Sequence, residues 1–402
     1  METKRITENI GDAADIIRAG GLVAVPTETV YGLAGNGLNE EAVREISEVK
    51  GRPAVKPLSL MVPDETAMER YCVDVPPQAR ALARRFWPGP LTIVLGAKAE
   101  IPSIVLAGGK TVGLRCPDHP LTLRLLRACG LPLAAPSANP SGEESPKTAQ
   151  QVLSYFDGKI DAVIDGGPCG LGRESTLIDM SAAPYRILRA GALPEETIAK
   201  ALAEELTLIG ITGPSGVGKT TALRELEAMG ALVLDCDAVY HALLENDAAL
   251  LAELRGAFPA AFLTDRLDRK ALGRIVFADP EKLALLNSIT HRYVSEAVDE
   301  RLRDYAMQGG RVAAMDAVEL ISAGMDKRCT ATLGVLADRD VRIERIMRRD
   351  GITREAAAAR IDAQKPDSYY REHCTHILLN NADRDRFSAD CRAVFKEIIN
   401  HG

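Results

Sequence analysis

Residues Thr207-Leu-Ile-Gly-Ile-Thr-Gly-Pro-Ser-Gly-Val-Gly-Lys-Thr220 run a short apolar strand straight into Gly-x-x-x-x-Gly-Lys-Thr. A strand feeding a glycine loop and then a helix is a phosphate cradle. The loop's backbone N–H groups converge on an anion at a helix N-terminus, and the helix dipole adds to the attraction. Folds of this kind open on that strand because it is the central strand of their sheet. Here it starts halfway along the chain, so the residues before it must build something else. A length of 402 residues suits two domains, and the reading is 1–206 and 207–402.

Composition narrows the function classes. Hydrophobic residues at 46% with 26% charged residues are globular, and a net charge of −7 gives no broad electrostatic case for nucleic acid, so stable DNA binding is not expected. Eight cysteines are scattered without a C-x-x-C pair, which suggests reduced thiols in a cytoplasm. Met1 to Gly21 carries charges throughout and has no apolar leader core. No run approaches the roughly 18 apolar residues of a membrane helix, and no internal repeat is visible.

The second half alternates strands and helices, which predicts a parallel sheet covered on both faces, a three-layer α/β fold. Strands are read at 207–212, 231–234, 312–315, 331–336 and 377–379. Helices are read from Thr220, through about 269–303, and at 341–349, 355–364 and 385–400. In the loop, Gly213, Gly216 and Gly218 permit the tight turn, and Pro214, Ser215, Val217 and Thr221 complete it. Lys219 reaches the β- and γ-phosphates and Thr220 offers a hydroxyl to Mg²⁺. Asp235 and Asp237 close the next strand and face the same crevice, where a carboxylate can orient an acceptor hydroxyl and take its proton. A solvated strand-end Asp is the plain alternative. Arg342, Arg345, Arg348 and Arg349 either close over phosphates or form a solvated basic face.

Further stretches make the second half specific: Asp235-Cys-Asp-Ala-Val-Tyr-His241, Leu267-Asp-Arg-Lys-Ala-Leu272, Leu286-Asn-Ser-Ile-Thr-His291, Arg345-Ile-Met-Arg-Arg-Asp350 and Arg360-Ile-Asp-Ala-Gln364. Together they resemble dephospho-coenzyme A kinase across 207–402. The resemblance implies transfer of the γ-phosphoryl group of ATP, with Mg²⁺, to the 3′-hydroxyl of dephospho-CoA. It makes Asp237 the general base, sets Asp235, His291 and Gln364 on the dephospho-CoA side, and sets Arg349 near ATP. One segment departs from the family. Where it carries a Pro-Leu-Leu-Phe-Glu-like stretch, this chain reads Asp316-Ala-Val-Glu-Leu-Ile-Ser322. A different nucleotide or nucleoside acceptor is therefore kept as an alternative.

The first half mixes short strands, helices and Pro/Gly turns. Two polar groupings stand out, Lys50-Gly-Arg52 with Lys56, and Ser137-Ala-Asn139 between Pro136 and Pro140. Cations on a loop after a helix can grip phosphates from two sides; each grouping alone is also what a surface loop looks like. They occur in order with Pro26-Thr-Glu-Thr-Val-Tyr-Gly32, Trp87-Pro-Gly-Pro-Leu-Thr92, Gly113-Leu-Arg-Cys-Pro117, Glu174-Ser-Thr176 and Arg189-Ala-Gly191. The set resembles the YrdC-type L-threonylcarbamoyladenylate synthases, which implies a twisted-sheet α/β domain. The implied reaction joins L-threonine, bicarbonate and ATP into threonylcarbamoyl-AMP and pyrophosphate, for modification of a tRNA adenosine. It leaves room for tRNA-modification partner proteins. By motif position, Arg52, Lys56, Thr111, Ser137, Asn139, Ser145 and Arg189 would hold ATP, and Thr29, Met61, Arg115, Ala135 and Ser175 would hold threonine. Lys50 and Arg52 would serve catalysis. Met61 falls where some relatives carry a His. An RNA-binding module is the competing reading of this half.

Overall fold

In a computed structural model, residues 2–53, 55–263, 266–317 and 320–401 are described. The chain divides into two compact units, Met1–Glu204 with Met307–Gly309, and Glu205–Ala306 with Gly310–Gly402. Among the described residues no helix is long and apolar enough to cross a membrane.

The first unit is built on a mixed sheet of 11 short strands. Val23–Val25 is wholly buried and pairs antiparallel with Gly32–Asn36. Helix Ile10–Arg18 turns Ile10, Ala13, Ala14 and Ile17 inward, the spacing of one helical face. They join Ile6, Val25, Leu125, Leu133 and Ile164 in one core, where each large aliphatic side chain contributes roughly 1.5–3 kcal/mol. Two features aim the unit's polar residues. Helix Glu40–Lys50 starts at Asn39, whose side chain accepts from the backbone of Glu41 and Ala42, and stops at Gly51 in the left-handed region, φ 59°. Its last residue, Lys50, therefore turns inward. Strand Ser59–Met61 runs parallel to Thr111–Arg115, with Met61 level with Arg115.

The second unit carries a five-stranded sheet ordered Leu232–Asp235, Val312–Asp316, Thr207–Thr212, Ala331–Leu336, His376–Leu379. Every pairing is parallel, and the strand before the glycine loop is central. Ile209, Ile211, Leu333 and Val335 pack with Leu226, Phe387 and Phe395 from helices Lys219–Ala228 and Arg384–His401. A second core gathers Leu250, Leu254, Phe258, Leu272, Val276, Leu286 and Ile289 on helices beside the sheet. A third, small one joins helices Arg339–Asp350 and Arg354–Asp362 through Ile343, Ile346, Ala357 and Ile361. The helices read over about 269–303 are Arg269–Phe277 and Pro280–Met307. Asp279 causes the break, accepting from the backbone of Glu281 and Lys282, and Pro280 has no N–H to continue the earlier helix.

Candidate active sites

In the first unit a cavity of about 680 Å³ opens above the sheet. Thr29, Met61, Arg115, Ala135 and Ser175 line it, as do Arg52, Lys56, Ser137 and Arg189. The fold thus brings together nine of the residues singled out in this half. Arg115 ends its strand almost fully buried. Its guanidinium donates to Glu28 Oε1 at 2.7 Å, to Thr29 Oγ1 at 2.8 Å and to the Gly89 carbonyl at 3.3 Å. Ser175 Oγ lies 2.8 Å from Thr92 Oγ1 and accepts from Arg189 Nη2 at 3.1 Å. Arg52 donates to the Pro57 carbonyl at 3.0 Å. Burial pulls the Arg52 guanidinium down, Glu174 opposes that and Arg189 adds to it.

Four residues stand apart from the lining. Lys50 is 3% exposed and its ammonium donates to the carbonyls of Ser137 and Asn139. Ser141 in turn donates to the Lys50 carbonyl at 2.8 Å. Lys50 therefore ties down the Ser-Ala-Asn turn from behind and does not face the cavity. Burial, with Arg52 nearby, lowers its pKa to about 8. Asn139 Nδ2 donates to the carbonyls of Pro140 and Glu143, while its buried Oδ1 has no partner among the described residues. Ser145 stands one step back, donating to Glu174 Oε1 at 3.3 Å. Thr111 is elsewhere: it starts the strand that Arg115 ends and lines a separate hollow, because four residues of strand span roughly 13 Å. Two carboxylates at this site escaped the sequence reading, Glu28 and Glu174. Each sits inside a quoted motif, between Thr27 and Thr29 and directly before Ser175. An acid embedded among hydroxyls and facing clustered cations was the available signal.

In the second unit a cavity of about 560 Å³ lies over the glycine loop. Pro214, Ser215, Gly216, Val217, Gly218, Lys219, Thr220 and Thr221 form its floor, and Asp235, Asp237, Asp316 and Arg349 stand around it. Gly213 has φ 144° and a Cβ there would come within 2.3 Å of the Val335 carbonyl oxygen, so the loop's entry admits no side chain. Lys219 Nζ donates to the Gly213 carbonyl at 2.8 Å. Burial lowers its pKa, and Asp316 and Asp237 oppose that. Burial raises the Asp316 carboxyl; Lys219 opposes, and Asp235 and Asp237 reinforce. Arg349 is held bidentate by Asp350, at 2.6 and 2.9 Å.

A second, more apolar cavity of about 460 Å³ adjoins it, walled by Leu272, Val276 and Leu286 with His241 and His291. Asp237 lines both cavities. Asp235 lines only the first, and its side chain caps helix Cys236–Asn246 by accepting from Ala238 N at 2.9 Å. Gln364 is at the glycine loop, not in the apolar cavity. Its Oε1 accepts from Ser215 N and from Arg342 Nη2, each at 3.0 Å, and its Nε2 donates to Ser215 Oγ at 2.8 Å. Of the segment that departs from the family, Ala317 lines the apolar cavity while Ile321 and Ser322 line a hollow beside Gln364. Val318 and Glu319 lie outside the described residues.

Comparison with known proteins divides at the same region of the chain. The Sua5/YciO/YrdC family model, described as telomere recombination, matches residues 15–191, and the dephospho-CoA kinase model matches residues 207–385. The threonylcarbamoyl-AMP synthase of Pyrococcus abyssi (strain GE5 / Orsay) is 47% identical over 202 residues, 50% of this chain and 59% of that protein. The one from Bacillus subtilis (strain 168) is 46% identical over 190 residues, 47% of this chain and 55% of that protein. This chain thus spans little more than half the length of these two relatives. A putative threonylcarbamoyl-AMP synthase of Mycobacterium tuberculosis (strain CDC 1551 / Oshkosh) is 36% identical over 199 residues, 49% of this chain and 90% of that protein.

Proposed function

Since the chain belongs to the Sua5/YciO/YrdC family through its first half and matches dephospho-CoA kinase through its second, we propose that it is a bifunctional, cytoplasmic enzyme. The first half condenses L-threonine, bicarbonate and ATP into threonylcarbamoyl-AMP with release of pyrophosphate and water. The second transfers a phosphoryl group from ATP to the 3′-hydroxyl of dephospho-CoA. The observation that carries this reading is that each unit has its own cation-lined cavity of nucleotide size.

In the first cavity threonine's amine and bicarbonate form a carbamate, whose oxygen attacks the α-phosphate of ATP. No protein nucleophile is needed; the demand is to hold two anionic reactants together. Arg115 is suited to threonine's carboxylate because its Nη1 makes no protein hydrogen bond among the described residues while Glu28 and Thr29 fix its plane. Arg52, Lys56, Ser137 and Arg189 are suited to the triphosphate. Holding both reactants in register can remove roughly 7–11 kcal/mol of barrier, and donors fixed in advance add charge stabilisation in the transition state.

In the second unit the glycine loop's N–H groups and Lys219 would hold the β- and γ-phosphates. Asp237, which borders both cavities, is suited to take the acceptor hydroxyl's proton as the oxygen attacks the γ-phosphate. Mg²⁺ would suit the oxygens of Thr220 and Asp316, since a hard cation takes one or two carboxylates with substrate phosphates and water, and it would neutralise phosphate charge there. The Asp316 carboxyl, raised first by burial and then by Asp235 and Asp237 beside it, fits a site that gains from a cation.

Single substitutions test the assignment. Lys219→Ala is expected to abolish CoA formation and leave threonine-dependent pyrophosphate release intact. Arg52→Ala is expected to do the reverse. Loss of both activities from either variant, with the fold preserved, would overturn it.

A further inference from the structure

Among the described residues, the charged side chains lining the first unit's cavity are Arg52, Lys56, Arg115, Arg189 and one carboxylate, Glu174. Arg115 already has its own acid, the nearly buried Glu28 behind it. Glu174 is placed differently. It is half-buried at the cavity wall, and its two oxygens are divided between two donors. Oε2 makes an ion pair with Arg189 Nη1, and Oε1 accepts from Ser145 Oγ at 3.3 Å. Both donors are among the residues read as nucleotide-binding. In this state the carboxylate uses the hydrogen bonds that a phosphoryl group entering the cavity would need.

We infer that Glu174 is a built-in counter-anion that occupies part of the polyphosphate subsite and yields Arg189 and Ser145 to a phosphate of the substrate. This rests on the reading of the cavity as a triphosphate site. The physical reason for such a device is release. A dense cation cluster with no acid would hold any polyphosphate tightly, and charge-assisted bonds are the strong ones. A carboxylate that competes for the same donors weakens the hold on the leaving pyrophosphate and keeps the cations paired when the cavity is empty. Arg52 and Lys50 feel the same negative charge, so its effect is not confined to its two partners.

A merely structural role makes the opposite prediction. If Glu174 served only to aim Arg189, neutralising it would loosen Arg189 and weaken anion binding. The test is calorimetric titration of inorganic pyrophosphate into the full-length chain carrying Lys219→Ala, which removes the glycine loop's main cation. The same chain with Glu174→Gln is expected to bind pyrophosphate tighter by about tenfold or more, the scale of one removed like-charge contact. Glu174→Asp, which keeps the charge, is expected to fall back towards the parent value, and Arg52→Ala is expected to abolish the signal. Equal or weaker binding by Glu174→Gln would overturn the inference. So would a tightening that Arg52→Ala leaves untouched, since the binding would then lie elsewhere. No pyrophosphate binding by parent or variant would overturn the triphosphate reading itself, and this inference with it.

Discussion

At the scale of single residues, the chemistry of a side chain and its place can part company. Lys50 sits in a signature cluster, and sequence reasoning made it catalytic; the fold turns it into a buried tie for the Ser137–Asn139 turn. Its burial has a measurable sign. The unfolded chain keeps a lysine protonated to about pH 10.4, whereas the folded chain releases this proton near pH 8. Between those values the unfolded state holds more protons, so this residue's contribution to stability rises with pH. The stability of the parent relative to Lys50→Met is expected to grow by roughly 2–3 kcal/mol from pH 7 to pH 10. Denaturant unfolding followed by Trp87, the one tryptophan in the chain and a residue of the first unit, measures it. A difference flat with pH would sink the idea. Gln364 departs from its reading in another way: its amide holds both the N–H and the hydroxyl of Ser215. Gln364→Ala is expected to raise the kinase KM for ATP by about tenfold through a loosened loop and to leave the acceptor KM unchanged. A raised acceptor KM alone would return Gln364 to the dephospho-CoA side.

Elements carry the next level, and the apolar cavity beside the sheet is their product. It exists because helices Arg269–Phe277 and Pro280–Met307 turn Leu272, Val276 and Leu286 to one side. Val276→Trp would fill that space. It is expected to raise the acceptor KM by at least about tenfold, because overpacking displaces the ligand or the wall, while the KM for ATP holds. Steady-state kinetics with each substrate varied separates the two, and an equal rise in both would remove the cavity from acceptor binding. Legibility also divides by element. Thr207–Thr212 and Ala331–Leu336 were readable because buried parallel strands are continuous apolar runs bounded by turn residues. Helix Cys236–Asn246 was not, because the acids that cap and open it, Asp235 and Asp237, look equally like the end of a strand. In the first unit Gly32–Asn36 holds two glycines in five residues and shows no period. Its pairing with Val23–Val25 and Leu133–Ala134 fixes it, and contacts across that sequence distance leave no local mark. The cavity residues were legible only as motifs. Thr111 shows the limit, since a motif gives neighbours in sequence and a strand separates its two ends.

At the scale of the whole molecule, the two units differ in kind. One is a mixed sheet whose cavity is lined by side chains from many short strands and loops; the other is a parallel sheet whose first loop, Pro214 to Thr221, floors its cavity. Their cores are built from separate sets of residues. If 1–206 and 207–402 are separate domains, as we propose, a ligand that binds one should stabilise that one alone. At a hundred times its Kd a ligand adds about 2.7 kcal/mol to the state it binds, which for a unit of this size moves its transition by roughly 5–10 °C. L-Threonine is therefore expected to raise the thermal transition reported by Trp87 fluorescence by that amount. Dephospho-CoA is expected to leave that transition in place and to shift a second one, seen by calorimetry of the same chain. A Trp87 transition that follows dephospho-CoA as strongly as threonine would mean that the units unfold as one cooperative body, and the independence on which the reciprocal variants depend would fail.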